Sequence, residues 1–152
     1  TKEGIILPYI HPGSKLGVLI EINCETDFVA KTDDFQNLSK DIAMHIAASA
    51  PMSISREEIP SDTLDREKEI YTDQAKQSGK PENIIEKMID GRLNKFYQEN
   101  VLLEQTFVKN PDKTVQDLIT DIVAKLGENI IISRFSRFQL GEKTNNSNPS
   151  NN

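Results

Sequence analysis

From Leu16 to Cys24 the chain alternates with a period of two. Leu16, Val18, Ile20, Ile22 and Cys24 fall on one side, Lys15, Gly17, Glu21 and Asn23 on the other, and only Leu19 breaks the pattern. Such a period belongs to a strand that buries one face. Just before it, the apolar run Ile5-Ile6-Leu7-Pro8-Tyr9-Ile10 stops at His11-Pro12-Gly13, where proline fixes φ and glycine permits a positive one. The two segments predict an antiparallel hairpin.

After Asp33 the period lengthens. Phe35, Leu38, Ile42 and Ile46 recur three or four residues apart until Pro51, which predicts a helix with an apolar stripe. Ser61 precedes a charged segment, Asp62 to Gln77, with a narrow stripe of Leu64, Tyr71 and Ala75 and a stop at Gly79. A return arm opening with Pro81 at the first helical position and carrying Ile85, Met88, Ile89 and Phe96 completes a helical hairpin on the surface. Thr114 is placed to cap a last helix with Val115, Leu118, Ile119, Ile122 and Leu126 inward, and Gly127 to end it. Ile130-Ile131-Ile132, running into Arg134, Phe135, Arg137 and Phe138, reads as a further strand. The sum is an α+β fold: a small antiparallel sheet of about three strands, built from both ends of the chain and packed with helices and a helical hairpin. Residues 1–142 form this domain, and the Asn/Ser-rich segment 143–152 holds too little apolar surface to offset the entropy of ordering it.

Composition removes several functions. A net charge of −6 with no basic stripe argues against direct nucleic-acid binding. Cys24 is the only cysteine, so no intrachain disulfide can form and only a bridge between copies is left open. No apolar stretch approaches the ~20 residues that cross a bilayer, so no membrane role is expected. Two histidines and one cysteine, without ligand spacing, make no zinc site, and no nucleophile, base and oxyanion donors form a hydrolase constellation. No metal or cofactor is expected. The chain opens on Thr1 without an initiator methionine, as a fragment or a processed chain does.

The junction after the alternating strand reads Glu21-Ile22-Asn23-Cys24-Glu25-Thr26-Asp27-Phe28-Val29-Ala30-Lys31. Locally, Thr26 can cap the following helix, and Asp27 in its first turn suits the positive end of the helix dipole. On apolarity alone Phe28 would be a staple between helix and sheet. The eleven residues, however, resemble the signature of the elongation factor Ts family. The resemblance extends through Tyr9-Ile10-His11-Pro12-Gly13, Ile42-Ala43-Met44-His45-Ile46-Ala47-Ala48, Leu103-Glu104-Gln105, Phe107-Val108-Lys109, Pro111-Asp112-Lys113-Thr114-Val115 and Gly127-Glu128-Asn129-Ile130, so it covers about Gly4 to Glu142.

That resemblance implies a guanine-nucleotide exchange factor for elongation factor Tu, not an enzyme. Its Thr-Asp-Phe-Val tip, here Thr26, Asp27, Phe28 and Val29, enters beside the partner's nucleotide site and dislocates the magnesium. Asp27 and Phe28 are the principal intruders, with the ring's steric effect the larger, and Thr26 and Val29 frame them. His45 divides between a buried helix histidine and a contact with elongation factor Tu; His11 reads as a turn residue. The charged hairpin reads as a solvated face, and no contact is assigned to it. The resemblance further implies a short, single-core form without the family's N-terminal helical domain, and hence a homodimer. A sheet covered on one face needs cover on the other, which makes Leu19 and the aromatic residues of the last strand interface candidates. The alternative is a dimerisation or binding module of the same family without exchange activity. The compartment implied is the bacterial cytoplasm, with plastid stroma and mitochondrial matrix as alternatives.

Overall fold

In a computed structural model that describes residues 3–143, the alternating segment is the middle strand of a three-stranded antiparallel sheet. In chain order the elements are β1 (Glu3–Ile10), β2 (Leu16–Cys24), α1 (Asp27–Ala30), α2 (Asp33–Ser49), α3 (Ser61–Gln77), α4 (Glu82–Asn100), β3 (Thr106–Phe107), β4 (Asn110–Thr114), α5 (Val115–Leu126) and β5 (Ile131–Gln139). The sheet runs β1-β2-β5, so the first and last strands of the chain flank β2. The α+β expectation holds; of the tail only Lys143 lies within the described residues.

The inward side chains of β2, Val18, Ile20, Ile22 and Cys24, are buried beneath the α2 stripe of Phe35, Leu38, Ile42 and Ile46, with Val115 and Ile119 of α5 and Ile130 and Ile132 closing the same core. The turn between β1 and β2 is closed by the His11 amide donating to the Leu16 carbonyl at 2.9 Å, and Gly13 supplies its φ of 99°. In β5 the pairing jumps between Glu21–Arg134 and Ile22–Ile132, leaving Ser133 as a bulge close to the end of β2.

The helices depart from expectation at their starts. Pro60, not Ser61, is the N-cap of α3, because its carbonyl accepts the Leu64 amide; Pro81 is likewise the N-cap of α4 and not its first residue. Thr114 caps α5 and Gly127 ends it with a φ of 75°, as read from the sequence, and Asp117 adds the second half of a capping box. The pair β3–β4 has no legible period, since β3 holds two residues and β4 contains Pro111. The α3–α4 hairpin has a small core of its own, in which Leu64 and Tyr71 pack against Ile59, Phe96 and Val101. Arg56 fastens its base, lying 4.2 Å over the Tyr97 ring and donating to both oxygens of Glu104 at 2.7 Å.

Candidate functional site

At the end of β2 the chain leaves the core for four residues. Cys24 is buried, Glu25 to Phe28 are exposed, and Val29 and Ala30 return inward. Thr26 is extended (φ −130°, ψ 154°) and caps α1 by accepting the Val29 amide on Oγ1 at 3.2 Å. One helix was expected here. Instead, α1 is a single turn and Thr32 caps α2 separately, accepting the Phe35 amide at 3.2 Å and donating its hydroxyl to the Val29 carbonyl at 2.7 Å. Two threonine caps a turn apart therefore fix a short projecting tip.

A one-turn helix with Val29 and Ala30 inward has to point Asp27 and Phe28 outward. Phe28 is 77% exposed, more than any other large hydrophobic side chain among the described residues, so Val29 and not Phe28 staples this turn to the core. Asp27 is exposed beside Phe28, with Lys31 Nζ 3.7 Å from its carboxylate. The tip thus presents an acid and an aromatic ring that the described residues leave exposed. A phenylalanine ring buried by another surface would remove a large apolar area from water.

Sequence reasoning missed what lies beneath the tip. Glu128, in the loop before β5, accepts the amides of Glu25 (3.2 Å) and Thr26 (3.1 Å) on Oε1 and the Thr26 hydroxyl on Oε2 at 2.7 Å. In return, the Asn129 amide donates to Glu25 Oε2 at 2.6 Å. The signal was present in the expectation that both chain ends share one sheet. Asn23 pairs with Ile131, and continuing that antiparallel register outward sets Glu25 opposite Asn129 and Thr26 opposite Glu128.

The other singled-out residues lie apart from the tip. His45 has no exposed surface: its Nδ1 accepts the Val108 amide at 3.3 Å and its Nε2 donates to Gln105 Oε1 at 2.9 Å. Burial holds its imidazole below the ordinary histidine value, against a smaller opposing effect of Gln105. In this conformation the side chain offers nothing to a partner directly. His11 sits in the exposed turn, 3.0 Å from the Tyr9 hydroxyl. Cys24 is buried with its thiol donating to the Thr26 carbonyl at 3.1 Å, and burial, then the Glu128 charge, push it above the ordinary thiol value. A bridge between copies therefore has no accessible sulfur in this state. Among the described residues, no three His, Cys, Asp or Glu side chains gather as metal ligands, and no helix is long and apolar enough to cross a membrane.

The family model described as "Elongation factor TS" matches residues 1–142. An elongation factor Ts of Geotalea daltonii and one of Geobacter sulfurreducens are each 59% identical over 142 residues, covering 93% of this chain and 66% of theirs. That of Fervidobacterium nodosum is 56% identical over 142 residues, covering 93% of this chain and 72% of its own. The chain thus spans about two thirds of the length of these relatives.

Proposed function

The chain belongs to the elongation factor Ts family, and from that premise we propose that it is a guanine-nucleotide exchange factor, not an enzyme, that binds elongation factor Tu and promotes GDP release during translation. The observation that carries this reading is the bare Phe28 ring on a tip anchored at both ends. Inserted beside the nucleotide site, the ring and the Asp27 carboxylate fit only a partner whose magnesium and phosphate-binding elements have moved. A ligand that prefers that conformation lowers the affinity for GDP by the same factor. No bond in the nucleotide is broken. Thr26 and Val29 hold the intruding pair and do not themselves intrude.

His45 enters this account as a core anchor, joining α2 to the segment after α4 through Gln105. We further propose a homodimer through the uncovered sheet face, where Pro8, Ile10, Gly17, Leu19, Phe138 and Leu140 line a groove of about 540 Å³. The bacterial relatives favour a bacterial cytoplasmic setting. A dimerisation or binding module of the same family without exchange activity is the second reading.

One variant separates these readings. With Phe28→Ala, release of a fluorescent GDP analogue from elongation factor Tu is expected to slow, and the equilibrium coupling between the chain and GDP to weaken by about 5- to 150-fold, the range of ordinary coupling energies, with a rate effect no larger than that. Because the ring is exposed, thermal stability should fall by less than ~1 kcal/mol, against the ~3–5 kcal/mol of a truncated core phenylalanine. A variant as active as the parent returns the tip to a structural role. A parent that does not stimulate release at all favours the non-exchanging module.

A further inference from the structure

We propose that Glu128 is a positioning residue for exchange: its carboxylate clamps Thr26 in the one state that presents Asp27 and Phe28 outward. The proposal rests on the exchange reading of the tip given above. Beyond Asn23 and Ile131 the two strands part, and side-chain carboxylates take over the cross-strand bonding. Every polar atom of Thr26 is engaged there. Its amide and hydroxyl donate to Glu128, its carbonyl accepts from the Cys24 thiol and from the Ala30 amide at 3.2 Å, and its Oγ1 accepts from Val29. A hydroxyl has one proton. Committed to Glu128 at 2.7 Å, it leaves a lone pair aimed at the Val29 amide, so the same carboxylate that fixes the backbone also fixes the cap rotamer.

Fold stability alone gives no reason for this arrangement. The Glu128 contacts lie at the exposed surface, where water would satisfy the same groups and the net gain from each bond is small. Glu128 also directly follows Gly127, the C-cap of α5, at the negative end of that helix dipole, where a carboxylate is unfavourable. What the clamp changes is the number of conformations open to the residue that precedes the intruding pair. A tip that must be ordered at each encounter binds more weakly by the fraction of time it is competent.

The test compares the parent chain, Glu128→Ala, Glu128→Gln, Phe28→Ala and the double variant Phe28→Ala/Glu128→Ala on elongation factor Tu loaded with a fluorescent GDP analogue. Each is also followed by thermal melting and by amide hydrogen exchange at Thr26 and Val29. Glu128→Ala is expected to lower kcat/KM for stimulated release about tenfold, the effect of a competent population near one in ten. Its melting midpoint should stay within a few degrees of the parent, with faster exchange at both amides. Glu128→Gln keeps an acceptor oxygen and should recover to within about threefold of the parent. The double variant should lose clearly less than a further tenfold relative to Phe28→Ala, because without the ring only Asp27 is left to position; a merely structural role would make the losses add in full. Parental kcat/KM in Glu128→Ala, or additive losses, overturns the proposal. Should Glu128→Ala fail to fold, Thr26→Val must show the tenfold loss while Thr26→Ser stays near the parent, and equal activity of the two overturns it. Parental activity in Phe28→Ala would instead sink the exchange reading of the tip, and unchanged amide protection in Glu128→Ala would then overturn the clamp on its own.

Discussion

Phe28 and Val29 are neighbours of similar apolarity, yet one is exposed and the other buried. Periodicity could not separate them, because α1 is one turn long and a single turn has no repeat to read. The family resemblance drew attention to Phe28 where residue chemistry alone would have buried it. His45 shows the converse, since a histidine on an apolar helix stripe is silent about its hydrogen-bond partners until α2 is seen against Gln105 and Val108. Neutral His45 accepts the Val108 amide; protonated, it would set one N–H against another. Its folded-state pKa is depressed, so below the unfolded value near 6.5 the unfolded chain takes up a proton that the native state resists. Stability should therefore be flat above about pH 6.5 and fall below it, by at most ~1.4 kcal/mol per pH unit from this group. Denaturant melts between pH 7.5 and 5.5 should show the decline in the parent and lose it in His45→Gln. An equal slope in both proteins would assign it elsewhere.

At the scale of elements, the strands and helices with sustained periods were legible from the residues: β2 by its alternation, α2 and α5 by their stripes, and the end of α5 by Gly127. Elements too short to repeat their period, α1 and β3, were not, nor was β4 with Pro111 inside it, and the clamp between Glu128 and the tip required the sheet register to be known. The outer face of the sheet is the element-scale feature with a consequence for assembly. Ile6, Ile10, Leu19 and Phe138 stand exposed there, and Gly17 lies opposite both Ile10 and Phe138 without a side chain to cover either. Light scattering at micromolar concentration should give about twice the 17.1 kDa chain mass, and Phe138→Asp should return it to one chain without loss of folding, because a charge in a desolvated apolar interface is costly while on a free surface it is not. A parent that scatters as one chain removes the dimer.

The molecule as a whole joins a sheet-and-helix core, from which the tip projects, to a helical hairpin with a separate small cluster of apolar side chains. The hairpin carries most of its charge outward, as a solvated face does. Exchange of the proposed kind requires a difference in affinity between two states of the partner. Linkage makes that difference measurable without any kinetics: if the chain weakens GDP binding by some factor, GDP must weaken binding of the chain by the same factor. Titration calorimetry of the chain into elongation factor Tu, first free of nucleotide and then saturated with GDP, is the most direct test. Tighter binding to the nucleotide-free partner, by a factor matching the loss of GDP affinity in the complex, is the result predicted; equal affinity in the two titrations would contradict it.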